Sequence, residues 1–183
     1  MCNHSFLQPR TWSTKIGGEN GALSVTRKDA YIDFFVAVRK EFNARFPNTP
    51  IKTVPTGRNY LRIGAPAYPK RAGYHIGFTR DELFRVEVTF DDDDDKSTFD
   101  SLIRWRSQIE SELGERLDWA RLHGDIGRPH RLRSQVSVFY PGSATIEDAE
   151  YSDADFIDWV VPMADRFMRV MDKYLTPDRL HSK

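Results

Sequence analysis

The chain contains a single cysteine, Cys2, among its 183 residues, so no internal disulfide and no CxxC-type zinc site can form, which suits a reducing compartment. Long apolar runs are also missing. None approaches the roughly 20 residues that span a bilayer, and the start MCNHSFLQPR lacks the apolar core of a signal peptide. The expected location is therefore the cytoplasm, with no membrane partner. No Walker loop, GxGxxG or GxSxG occurs, which removes the phosphate-loop, dinucleotide-binding and nucleophile-elbow classes, and no cofactor is expected. Net charge is missing too, but only in total. Residues 1–80 hold 13 Lys/Arg against 4 Asp/Glu, and residues 81–183 hold 14 against 23. Such an asymmetry would let the basic half of one copy meet the acidic half of another, so a homo-oligomer is one expected partner state.

What is present suffices for one folded domain. Hydrophobic residues make up 39% of the chain and aromatics 13%, unlike the composition of a disordered chain. Three Gly and scattered polar residues mark residues 1–25 as a loosely ordered lead-in, followed by a single domain over 26–177 and a short tail over 178–183. Thr26 and Asp29 have capping-box spacing, and Tyr31, Phe34, Phe35, Val38 and Phe42 then form one helical stripe. The segment PNTPIKTVPTGRN is an extended connector.

Three alternating runs follow, NYLRIG, GYHIGFT and LFRVEVTF, which predict an antiparallel meander. One face carries Leu61, Ile63, Tyr74, Ile76, Phe78, Phe84, Val86, Val88 and Phe90. The other carries Arg62, His75, Gly77, Arg85, Glu87 and Thr89, and is expected to be at least partly wet. A second helix is predicted from Ser97 to Gly114, with Phe99, Leu102, Ile103, Ile109 and Leu113 buried. LDWARL and SQVSVFY read as two more strands joined by the loop HGDIGRPHRLR. A last helix starts near Ser152 and Asp155, with a kink or break expected at Pro162. The fold class is α+β: a mainly antiparallel sheet of about five strands with three helices, in the order α-β-β-β-α-β-β-α.

The segments YLRIG, GYHIGFTRDELFRVEVTF, FDSLIRWRSQIESELGERLDWARL and DWVVPMADRFMRVMDKYL resemble an uncharacterised bacterial domain-of-unknown-function family over about residues 28–175. Its members occur alone or C-terminal to restriction-endonuclease-like modules. The strongest local signature is Glu112-Leu113-Gly114-Glu115 leading to Leu117-Asp118-Trp119, which is structural. Pro162 departs from the family's usually uninterrupted last helix. The resemblance implies a setting of bacterial defence or DNA processing and carries over no catalytic residue.

The predicted element order also begins like a restriction-type nuclease, whose site needs an acid on the second strand and Glu-x-Lys on the third to hold a metal and activate water. Here the second strand has no acid, and the third reads Glu87-Val88-Thr89. The weak catalytic candidates are His75, Asp81 and Glu87. If Phe78 pairs with Phe84, His75 lies opposite Glu87, and a neighbouring carboxylate would raise its pKa. Asp91 to Asp95 lack EF-hand spacing and are better explained by the helix dipole that follows them. His123, Asp125 and His130 lack metal-ligand spacing, so no metal is expected.

The most distinctive charge feature is the stretch from Phe42 to Arg80, which has no acid. Arg58, Arg62, Lys70 and Arg71 alternate there with Tyr60, Tyr68 and Tyr74, a combination that neutralises phosphates and stacks on unpaired bases. Residues 144–158 are the converse, with six acids and no Lys or Arg. The expectation is a non-catalytic binding or accessory domain for nucleic acid or a partner protein. The alternative is a metal-dependent nuclease or hydrolase with a degenerate restriction-endonuclease-like site.

Overall fold

A computed structural model describes residues 26–91, 96–125, 128–142 and 144–181, without the side chains of 122–132 and 150–153. The lead-in of residues 1–25 with Cys2, the run Asp92 to Asp95, and the side chains of His123, Asp125 and His130 lie outside the described residues.

Helix α1 (Arg27–Arg45) starts where the sequence dictates. The Thr26 hydroxyl accepts from the Asp29 N–H at 3.2 Å, and the Asp29 carboxylate accepts from the Thr26 N–H at 3.2 Å, a reciprocal cap. The connector that follows is pinned to this helix at Ile51. Its N–H donates to Asn43 Oδ1 at 2.7 Å, and its carbonyl accepts from Arg39 Nε at 3.0 Å.

Strands β1 (Tyr60–Gly64), β2 (Ala72–Phe78), β3 (Phe84–Phe90), β4 (Asp118–Asp125) and β5 (Arg128–Phe139) form one antiparallel sheet ordered β1-β2-β3-β5-β4. The α+β class and the five-strand sheet thus match the sequence reading. The stretch read as a loop at 123–133 differs, because most of it continues the β4–β5 hairpin. β3 pairs with β5 only as far as Phe90 opposite Ser134, so the rest of the hairpin is a two-stranded ribbon. The sequence HGDIGRPHRLR carries Gly, Pro and charged residues without apolar alternation, which is why it reads as a loop.

The apolar sheet face receives the helices. Phe34 of α1 packs edge-on against Phe78 at 5.3 Å and Phe84 at 5.6 Å between ring centroids, arrangements favoured by the ring quadrupoles. Helix α4 (Ile146–Tyr174) lies beside α1 and adds Phe156, 5.6 Å from Phe84. It begins six residues before Ser152, at a second capping box in which Thr145 and Asp148 exchange hydrogen bonds. Of the kink or break expected at Pro162, the break does not occur, since the helix runs on to Tyr174. Pro162 is exposed between buried Val161 and Met163, so the carbonyl four residues back that loses its donor lies on the solvent side.

The second predicted helix is three pieces: α2 (Ser97–Leu102), a 3-10 turn (Ile103–Trp105) and α3 (Arg106–Leu113). Among the described residues Asp100 makes no helix cap. It holds Arg121 of β4 through two bonds of 2.8 and 2.9 Å, while Lys96 sits at the N-cap with φ of 63° and no side-chain cap. Ile103, expected inside, is 38% exposed, because the 3-10 turn swings the stripe and brings Trp105 to Tyr174, 5.8 Å between ring centroids. Gly114 ends α3 in the left-handed region at φ of 71°, as the sequence predicts. A short helix, α5 (Pro177–His181), buries Leu180. Among the described residues no helix is long and apolar enough to cross a membrane.

Candidate functional site on the polar sheet face

The register places one transverse row across all five strands. Arg62 of β1 faces His75 of β2, His75 faces Glu87 of β3, Glu87 faces Ser137 of β5, and Ser137 faces Asp118 of β4. The next row sets Gly73, Thr89 and Gln135 side by side. Two glycines make this crowding feasible. A Cβ on Gly73 would lie 2.9 Å from His75 Cε1, and one on Gly77 would lie 2.8 Å from both Asn59 O and Tyr60 Cβ.

The face is partly wet, as alternation predicts, with Arg62 exposed and His75 and Arg85 half-buried, but its centre is dry. Thr89 and Ser137 are 0% exposed and Glu87 is 8%. Flanking long side chains account for part of this burial, since the Tyr60 and His75 rings stand nearly perpendicular with centroids 5.7 Å apart and Arg85 reaches Glu87 along the same strand. Arg85 Nη2 stands 2.8 Å from Glu87 Oε2. Arg133 Nε stands 2.6 Å from Asp91 Oδ1.

His75 does lie opposite Glu87, but the expected electrostatic outcome is reversed. Burial pushes the His75 pKa down to about 4, and the Arg133 and Arg62 guanidiniums push the same way, with Asp91 opposing and Arg85 adding to the fall. The Glu87 carboxylate is turned to Arg85 and is not the dominant influence on the imidazole. Three buried polar atoms on this face have no hydrogen-bond partner among the described residues: His75 Nδ1, Thr89 Oγ1 and Ser137 Oγ.

The nuclease candidates do not converge. His75 and Glu87 are neighbours, while Asp81 is exposed in the 79–83 turn, its N–H given to Thr79 Oγ1 at 3.2 Å. Three residues of strand, about 10 Å, separate the His75–Glu87 pair from the Phe78–Phe84 pair that closes into that turn. Thr89 stands where such a nuclease carries lysine. Among the described residues no group of three or more His, Cys, Asp or Glu could hold a metal ion.

The basic candidates cluster along edge strand β1 and the connector after it. The Arg58 guanidinium lies 5.7 Å from the Tyr60 ring centroid and donates to its hydroxyl at 2.7 Å. Tyr60 is 41% exposed. Arg62 Nη2 donates to the Ala72 carbonyl at 3.2 Å, which ties it to the start of β2. Lys70 and Arg71 are exposed in the turn between these strands. The other two tyrosines do not belong to this surface as expected. Tyr74 is 1% exposed and gives its hydroxyl to Asp172 at 2.6 Å, and Tyr68 is half-buried with its hydroxyl 3.0 Å from His181 Nε2. Burial raises both the Tyr74 hydroxyl and the Asp172 carboxyl above their ordinary pKa values.

Part of the charge asymmetry is met within the chain. Arg45 pairs with Asp158 at 3.0 Å and Arg27 with Glu147 at 3.5 Å, so the acidic segment 144–158 lies against α1. Arg58, Arg62 and Lys70 make no ion pair among the described residues. Sequence reasoning missed Ser137, Gln135 and Arg133, the last being the partner of Asp91. The alternation Gln135-Val136-Ser137-Val138 could have put Gln135 and Ser137 on the polar face, whereas nothing in the ribbon marks Arg133.

A family model described as a domain of unknown function (DUF4268) matches residues 30–175. No curated protein and no solved structure matches the chain.

Proposed function

The chain belongs to the DUF4268 family, which is described by sequence and not by activity, and from that premise we propose that it is a non-catalytic domain that binds single-stranded nucleic acid along edge strand β1. The observation that carries this reading is the Arg58–Tyr60 pair, an exposed ring with a guanidinium 5.7 Å from its centroid at the sheet edge. An unpaired base stacks on such a ring, and the nearby Arg62, Lys70 and Arg71 meet the phosphates on either side of it. A duplex hides its base faces, so the platform favours single strands. The bacterial defence or DNA-processing setting implied by the resemblance is the context we propose for it.

The alternative, a metal-dependent nuclease or hydrolase, has less to support it. Glu87 is neutralised by Arg85, Asp81 stands apart, and Thr89 supplies neither a charge nor a proton acceptor of the lysine kind.

Fluorescence anisotropy with a labelled single-stranded oligonucleotide tests the proposal. With four cations engaged, log K against log salt should have a slope of about −3. Tyr60→Ala should weaken binding roughly five-fold or more, and Arg58→Ala should both weaken it and flatten the slope. An absence of binding in low-salt buffer, or full affinity in Tyr60→Ala, refutes the proposal.

A further inference from the structure

Two groups of the proposed platform, Tyr60 and Arg62, stand on one face of β1 about 7 Å apart along the strand, and both meet the same titratable side chain. The His75 ring centroid is 5.7 Å from that of Tyr60 with the planes at 83°, and His75 faces Arg62 in the register. Gly73 draws the second contact tight. A Cβ there would lie 2.9 Å from His75 Cε1 and 3.4 Å from both Cζ and Nε of Arg62. Ring and guanidinium therefore converge over a residue that has no side chain to keep them apart.

The charges that face the ring from β3 and β5 are matched. Arg85 holds Glu87 at 2.8 Å, and Arg133 holds Asp91 at 2.6 Å. On the β1 side the balance is different. Arg62 is exposed and pairs with no carboxylate among the described residues, and its bonds to the Gly64 and Ala72 carbonyls are long, 3.4 and 3.2 Å, so the arm is free to shift toward a ligand. Nδ1 of His75 is buried and has no hydrogen-bond partner among the same residues. In the free chain burial disfavours a charged imidazole, Arg133 and Arg62 repel it, Arg85 adds to them and Asp91 opposes.

An anion on Arg62 changes that balance. It cancels the repulsion from the guanidinium, adds an attraction of its own, and brings oxygens that accept from a ring whose two nitrogens both donate once it is protonated. A base stacked on Tyr60 leaves its phosphate beside Arg62, so the strand itself supplies the anion. We infer that His75 is a strand-binding residue: as a single-stranded nucleic acid settles on Tyr60 and Arg62, the imidazole takes up one proton from solvent and helps to hold the phosphate there. This rests on the proposed single-strand binding at β1 and specifies it, because it adds a group whose contribution to that binding depends on pH.

Two measurements on the full chain test it, both with an oligothymidylate, whose bases do not titrate between pH 5 and 8. In the first, anisotropy at constant ionic strength compares the wild type with His75→Asn over that range. The wild-type affinity should rise on acidification roughly ten-fold more than that of the variant, whereas a ring with a structural role alone gives parallel profiles. In the second, NMR follows the His75 ring with and without saturating oligothymidylate, and the midpoint of its titration should rise by roughly two pH units in the complex. Binding with parallel profiles, or with an unmoved midpoint, overturns the inference and leaves the β1 reading standing. Failure of the oligothymidylate to bind at any pH in low-salt buffer refutes the β1 reading, and the role of His75 with it.

Discussion

Lowering the pH from 8 to 5 should remove about 2 kcal/mol of stability through His75 alone. The folded-state pKa of about 4 lies below the ordinary histidine value of about 6.5, so between the two the unfolded chain binds more protons than the folded one. Stability then rises with pH across that window. The contribution is complete above the unfolded value and is lost progressively as pH falls, reaching about 2 kcal/mol at pH 5 and about 3 kcal/mol below pH 4. The cause is spatial. The ring is buried in the transverse row with Arg62, Arg85 and Arg133 around it, Asp91 as the opposing charge, and Glu87 already held by Arg85. A proton on the ring would add a charge among three guanidiniums.

The assay is urea unfolding followed by tryptophan fluorescence at pH 8, 6.5 and 5, for the wild type and His75→Asn. Carboxylates and the other histidines titrate in both proteins, so the difference between their pH profiles isolates the His75 imidazole. The profiles should diverge, with the wild type losing about 2 kcal/mol more than the variant between pH 8 and 5. Parallel profiles would refute the reasoning, as would an NMR titration that puts His75 near 6.5.

Two other perturbations follow from local geometry. Gly77→Ala places a Cβ 2.8 Å from Asn59 O, a backbone atom of the neighbouring chain segment; β1 must move, costing about 1–3 kcal/mol, and an unchanged urea midpoint would show that the edge strand is loose. Pro162→Ala restores a helical N–H at an exposed position of a continuous helix and should raise the unfolding free energy by about 1–3 kcal/mol; a lowered midpoint would mean that the helix depends on the proline's shape.

The register of β2 and β3 was legible because a five-residue connection between Phe78 and Phe84 fixes it, and with it the His75–Glu87 pairing. The fate of that pair was less so. Arg85 is two residues from Glu87 on the same face, and its claim on the carboxylate was visible in the alternation, but Arg133 ends the stretch HGDIGRPHRLR, whose sequence carries no periodic signal. The start of α4 was missed for a related reason. The Thr145–Asp148 cap is followed by few large apolar residues before Phe156, so the stripe is weak where the helix begins. The 3-10 turn at Ile103 answers to Trp105 meeting Tyr174, a contact between distant segments that no local pattern announces.

The pairing of α1 with α4 bears on how the protein is made. Arg45 and Asp158 stand 113 positions apart, and at 5–20 residues per second that interval takes roughly 6–23 s of synthesis. During it the meander can already dock on Phe34 and Tyr31, yet the flank of α1 that receives Phe156 stays uncovered. A nascent chain with such an aromatic flank is a substrate for chaperones that hold apolar segments. Slow codons between β5 and α4 would lengthen the exposure and lower the yield of folded protein without altering a single residue.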